Sequence, residues 1–329
     1  MIKHASAFLL VMLTLAVAGG NAIASEVLWL SEVPPHAGHG GGEHAHGGTV
    51  VKRRGVYYKN LWLRHEDNPQ QAGYVQQLPS HSPLLLLDTS GQPHEQAVQR
   101  DAVHGLYNVE FPMPEEGFYN AYLTHQRLNV DEGRRLIYIA KAEVLKHSCR
   151  EGHDDVQSKM PPRHNPAIPL ELVRERLPKE NFHSLLSHGD TVSFQVLRNG
   201  EPLPGAAVTF TTAQGWSRQA LSDSEGRVSY TLIRDYYPPW HEFEKRKAQP
   251  YLVIAAHTVP EAGEVEGTPY RQTVYRSSLA GNYYPSPRDY ESYAYGISFG
   301  LFALLATGLG IYLYRRRRHR PYREVQFDE

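Results

Sequence analysis

The sequence predicts a mainly β chain: two small antiparallel sandwiches outside a membrane, followed by one helix within it. Three observations carry that prediction. The composition favours strands and turns, with 21 Tyr, 23 Pro and 27 Gly in 329 residues. Short apolar runs, alternating or continuous, recur between turn signals, as in immunoglobulin-like β-sandwiches. An uncharged apolar run at residues 294–314 is followed at once by Arg315, Arg316, Arg317 and Arg318.

Residues 1–24 read as a secretory signal. Lys3 opens it, residues 8–18 form an apolar core, and Ala22-Ile23-Ala24 supplies the small residues of a cleavage site. Residues 25–49 form a His- and Gly-rich segment with no periodicity, expected to be flexible. The first sandwich is expected over residues 50–148. Its strand material includes Val56-Tyr57-Tyr58, Leu61-Trp62-Leu63, the leucines at 84–87, residues 106–111, 118–124 and 135–146. A polar linker, 149–167, leads to a second sandwich over 168–258. There Asn199-Gly200 marks a tight hairpin and residues 223–226 mark another turn. Residues 259–292, rich in Pro, Gly and Tyr, read as a stalk.

Residues 294–314 are long enough to span a bilayer, which takes about 20 apolar residues. The four arginines place the following tail, 315–329, in the cytoplasm. Tyr290, Tyr293 and Tyr295 at one end, with Tyr312 and Tyr314 at the other, suit the two interfaces. The expectation is a single-pass protein of the inner (plasma) membrane with its bulk in the periplasm. Gly296 and Gly300 form a GxxxG pair, so pairing of two copies through this helix is one expectation.

Charge is balanced, 34 basic against 35 acidic residues, which argues against a nucleic-acid partner. Cys149 is the one cysteine, so no intramolecular disulfide can form. No Gly-x-Ser-x-Gly elbow, His-Glu-x-x-His pair or phosphate-binding glycine loop occurs, and no enzymatic activity is expected. The candidate chemistry lies in the 18 histidines. His36, His39, His44 and His46 share a Gly-rich tract in which imidazoles can converge on a divalent transition metal. Weaker candidates are His147 with Cys149 and His153, and His241 in the aromatic segment 235–249. The rival reading takes the tract as a solvated tether.

From Ile168 the chain reads IPLELV, then LSHGDTVSFQVLRNGEPLPGAAVTF, then SDSEGRVSY. Over about 65 residues this resembles the periplasmic domain family associated with bacterial nickel and cobalt uptake (NikM-like). The resemblance rests on Gly189-Asp190, on Asn199-Gly200-Glu201-Pro202-Leu203-Pro204-Gly205-Ala206 and on Asp223-Ser224-Glu225-Gly226-Arg227. Transthyretin-like and carboxypeptidase-regulatory-like modules share the same turn pattern. These residues shape turns and do no chemistry, so the likeness bears on fold more than on function. Relatives begin with a His close to a Trp-Leu pair. Here Ser25, Glu26 and Val27 precede Trp29-Leu30 and no His does, so a ligand role there is displaced or lost.

The resemblance implies an accessory protein that binds a divalent metal, nickel or cobalt before copper or zinc, and supports its uptake by a membrane permease or other inner-membrane protein. The alternative is a non-enzymatic β-sandwich scaffold that docks an envelope protein or polymer.

Overall fold

A computed structural model describes residues 27–35, 50–78, 82–102, 104–147, 160–238 and 247–318. The predicted signal peptide, His36, His39, His44, His46, Cys149, His153, His241 and residues 319–329 lie outside the described residues.

The described chain is built of strands and one long helix. In order, the strands are β1 (Leu28–Ser31), β2 (Val50–Arg53), β3 (Val56–His65), β4 (Leu84–Leu87), β5 (Pro93–Gln96), β6 (Val98–Arg100), β7 (Tyr107–Met113), β8 (Gly117–Asn129) and β9 (Arg134–Lys146). Then come β10 (Glu171–Arg174), β11 (Thr191–Arg198), β12 (Glu201–Pro202), β13 (Ala207–Thr212), β14 (Ser217–Leu221) and β15 (Arg227–Thr231). Last are β16 (Gln249–Val259), β17 (Gly263–Val265), β18 (Thr268–Tyr270), β19 (Gln272–Tyr283) and the helix α1 (Pro287–Arg318).

One eight-stranded sheet runs through the molecule in the order β14-β13-β16-β19-β9-β8-β4-β5. Its two halves are joined by the parallel pair β19–β9, Gln272 against Arg134 through Leu279 against Lys141. A five-stranded sheet (β1-β3-β7-β6, with β2 on β3) and a four-stranded sheet (β10-β11-β12, with β15 on β11) complete the two sandwiches.

The alternation of side chains along a strand decides which core each residue joins. On β9, Ile137 and Ile139 pack with Leu172, Phe194, Phe210 and Tyr251 of the second core. Tyr138, Ala140, Ala142 and Val144, at the intervening positions, pack with Leu61, Val109 and Phe111 of the first. β8 divides in the same way, Tyr122 to the second core and Tyr119, Ala121 and Leu123 to the first. The two small sheets therefore cover opposite faces of one shared sheet. Trp29 extends the first face onto Leu252, Ile254 and Ala280.

Three expected boundaries change. The segment 25–49, expected to be flexible, contributes β1, which is buried along its whole length and paired with β3. The segment 259–292, expected as a stalk, contains β19, at the centre of the long sheet. Its strand character is masked in the sequence because several of its buried positions are small and polar: Thr273, Ser277 and Ser278 are each at most 1% exposed. The expected linker also contributes to packing, since Met160 is buried against Phe118 and Phe182. The turns follow the sequence. Asn199 and Gly200 both take positive φ, as a two-residue hairpin requires, and Asp223 Oδ1 accepts from the amides of Glu225 and Arg227.

Among the described residues α1 is the one helix long and apolar enough to cross a membrane. It starts at Pro287, seven residues before the apolar run, and its last turn carries Arg315 to Arg318.

Candidate functional site

Where the two sandwiches meet, the apolar face of β9 becomes ionic. After Ile137 and Ile139, the same face presents Lys141 and Glu143. Lys141 Nζ donates to the Leu172 carbonyl at 2.9 Å and lies 2.9 Å from Glu171 Oε1 and 3.3 Å from Glu143 Oε1. It also sits over the Tyr122 ring. Glu171 accepts from the Tyr122 hydroxyl at 2.8 Å on Oε1 and from the Asn165 amide at 2.9 Å on Oε2. Arg176 Nη2 reaches Glu143 Oε2 at 3.2 Å, and its guanidinium stacks on Phe118. Arg174 makes a two-pronged pair with Glu180, at 2.6 and 3.0 Å, and the Leu177 amide donates to the same carboxylate.

Such burial is costly for a lone charge and tolerable only when partners are supplied. Burial alone would raise the Glu143 carboxyl, but Lys141, Arg176 and Arg174 beside it hold it below the usual carboxylate range. Glu180 is likewise held low, Arg174 outweighing its burial. Burial, and then Glu171, push the Tyr122 hydroxyl far up, so it stays a donor. Tyr251 is pushed up to about 12 by burial.

A cleft of about 230 Å³ opens beside this network, lined by Trp29, Ser31, Glu143, Arg174, Arg176 and Tyr251 among others. It is smaller than the roughly 300–1,000 Å³ of drug-sized sites.

A second polar cluster joins the β domain to α1. Asp289, in the first turn of the helix, is 2% exposed. Its Oδ2 faces His188 Nδ1 at 2.6 Å and accepts from the Ser286 amide at 2.9 Å, while Oδ1 pairs with Arg234 Nε at 2.7 Å. On the far side of the imidazole, His188 Nε2 lies 4.0 Å from Asp235 Oδ1, which accepts from the Tyr283 hydroxyl. Tyr290 OH donates to the Pro238 carbonyl, and the amides of His188 and Tyr284 bond to the carbonyls of Tyr284 and Leu186. The signal for this joint stands in the sequence: Ser286-Pro287-Arg288-Asp289 is a capping box with Pro at its first helical position. His188, in contrast, reads as an ordinary loop histidine until the fold brings it to Asp289.

Of the sequence-predicted ligands, His147 is described. Its Nδ1 lies 3.7 Å from Glu116 Oε2, and its ring meets His183 edge-on at 4.7 Å between centroids. His183 and Glu116 carried no sequence signal, since they come from different segments. Among the described residues no group of three His, Cys, Asp or Glu side chains is arranged to hold a metal ion. The other predicted ligands lie outside the described residues.

No family model matches the chain, and no curated protein matches it. Solved structures with some likeness include a bacterial ice-binding adhesin (10% identity, TM-score 0.22, covering 70% of this chain and 58% of that one). Another is a tetra-tandem repeat from the extending region of a large adhesion protein (13%, TM-score 0.22, 79% and 49%). A third is the D0–D1 domain of intimin (12%, TM-score 0.19, 68% and 89%). The chain thus spans about half the length of the first two. At these TM-scores the likenesses decide nothing about function, and the β architecture rests on its own strand pairing.

Proposed function

We propose that this chain is a membrane-anchored, extracytoplasmic accessory protein that works by binding: a docking module mounted rigidly on its helix. The observation that carries this reading is the joint at Asp289. A tether would leave the first turn of α1 in solvent, whereas here Asp289 is buried between His188 and Arg234. A helix fixed in this way sets the height and orientation of the sandwiches above the bilayer, which raises the effective concentration of the module near a membrane partner. In this reading the arginines after the span face the cytoplasm and the sandwiches lie on the other side, as the positive-inside tendency favours. Gly296 and Gly300 stand four residues apart on α1, the spacing that lets a second copy or a partner span approach closely.

The test uses the full chain in its native membrane, with photo-crosslinking residues placed in α1 and on the sandwich. The expected result is one inner-membrane partner captured from both positions, with sandwich crosslinking lost when a flexible insert of about ten residues separates Ser286 from Pro287. Crosslinking indifferent to the insert overturns the rigid-mount reading.

A second reading gives the module a cargo: a divalent transition metal, nickel or cobalt first, passed to a permease. It is favoured by His36, His39, His44 and His46 in one Gly-rich tract and by the resemblance of residues 168–230. Calorimetry on the full chain in detergent is expected to show Ni²⁺ or Co²⁺ binding near about 1 μM, most of it lost when His36, His39, His44 and His46 become Ala. No binding by a folded protein sinks this reading.

A further inference from the structure

We propose that Lys141 and Glu171 condense into an intramolecular amide, a covalent cross-link between β9 of the long sheet and β10 of the four-stranded sheet. The structure shows the two side chains as the ion pair from which that bond would form. This inference is independent of the proposed function.

Four observations carry it. Nζ of Lys141 and Oε1 of Glu171 are 2.9 Å apart, and the two side chains are 0% and 1% exposed. Held at contact in a site closed to bulk water, an amine and a carboxyl react at an effective concentration no solution reaches, and the product is shielded from hydrolysis. A second carboxylate, Glu143, lies 3.3 Å from the same Nζ and is 8% exposed. It is within reach of the ammonium and is the group placed to take a proton from it. Two donors, Tyr122 OH and the Asn165 amide, sit on the two oxygens of Glu171, one on each. They stabilise negative charge that builds there during attack. Finally, the Leu172 carbonyl holds Nζ in place from a third direction.

The step balances without an added reagent. Glu143 takes a proton from the Lys141 ammonium, and the freed amine attacks Cδ of Glu171. The N–C bond forms, a C–O bond breaks, and the departing oxygen leaves as water carrying two of the three ammonium protons. Ammonium plus carboxylate gives amide plus water, and Glu143 ends as it began. The bond would tie residues 30 apart across the two sheets, the kind of restraint on the unfolded chain that a disulfide gives. With one cysteine, this chain cannot form that restraint through sulfur.

The experiment is mass spectrometry of the denatured full chain, purified from membranes in detergent. The wild type is expected one water lighter than its mature sequence. Proteolysis is expected to yield a branched peptide joining Lys141 to Glu171, with no cleavage at Lys141. Lys141→Met is expected at its full sequence mass. Glu143→Gln, with the pair intact but the base removed, is expected to be mostly unlinked. A wild-type mass equal to the sequence, with the Lys141 and Glu171 peptides recovered linear, overturns the proposal. That reading needs no variant to fold. A Glu143→Gln chain that is fully linked overturns the role given to Glu143.

Discussion

Buried charges are the most exacting feature of this protein at the scale of single residues. Arg174 and Glu180 meet by two hydrogen bonds with little exposure, so removing one partner strands the other. Glu180→Ala is expected to cost about 3–5 kcal/mol in urea unfolding, the usual penalty for breaking a buried pair. The same carboxylates set an acid limit. Glu143 and Glu180 are held below the ordinary range in the folded chain, so their contribution is complete above the unfolded carboxylate value, about 4.3. It is lost as pH falls through the depressed folded values. The urea midpoint is expected to stay flat from neutral pH to about 5 and to fall below about 4.3. A midpoint that rises on acidification contradicts the assignment. Little of this cluster is legible from sequence: Lys141 and Glu143 sit at positions that read as an ordinary polar strand end, and their partners come from residues 165–180.

Single turns and caps govern the elements. Gly226 has φ +73°, and a Cβ there would stand 2.6 Å from the Val196 carbonyl oxygen. Gly205 has φ +71° but open space around it. Gly205→Ala is therefore expected to cost only the left-handed penalty, about 1–2 kcal/mol, and Gly226→Ala distinctly more. Equal losses in thermal unfolding would show that backbone strain alone governs both sites. Both glycines are visible in the sequence as turn residues, but only the fold distinguishes the crowded one from the open one. At the helix start, Asp289→Ala removes the cap, the partner of His188 and the partner of Arg234 together. Hydrogen exchange is expected to quicken at Tyr284 to Tyr290 while β16 and β19 stay protected. Unchanged exchange would mean that the joint does not hold the helix.

At the scale of the whole molecule, the shared sheet has a thermodynamic consequence. Leu87 and Tyr122 of the first half belong to the core of the second, and β9 feeds both cores from its two faces. The two sandwiches are expected to unfold together, with one calorimetric transition whose measured and van't Hoff enthalpies agree. Two resolved transitions would show that the seam β19–β9 does not couple them. Among the described residues, none of α1 joins a hydrophobic core cluster, so a chain ending at Ser286 is expected to keep the β fold and leave the membrane fraction.

Local properties are legible along the chain: its β-rich character, its tight turns, and one apolar helix abutted by arginines. Each of these depends on neighbours along the chain, through alternation, φ preference or length in a bilayer. That Gln272–Tyr283 lies mid-sheet, that the two sandwiches share one sheet, and which charges meet in its interior emerge with long-range strand pairing alone. A buried serine and an exposed one read alike in sequence, and Lys141 is 30 residues from Glu171 along the chain. Pairing of that kind is set when strands distant in sequence find their register, because only then does burial make one polar partner indispensable to another.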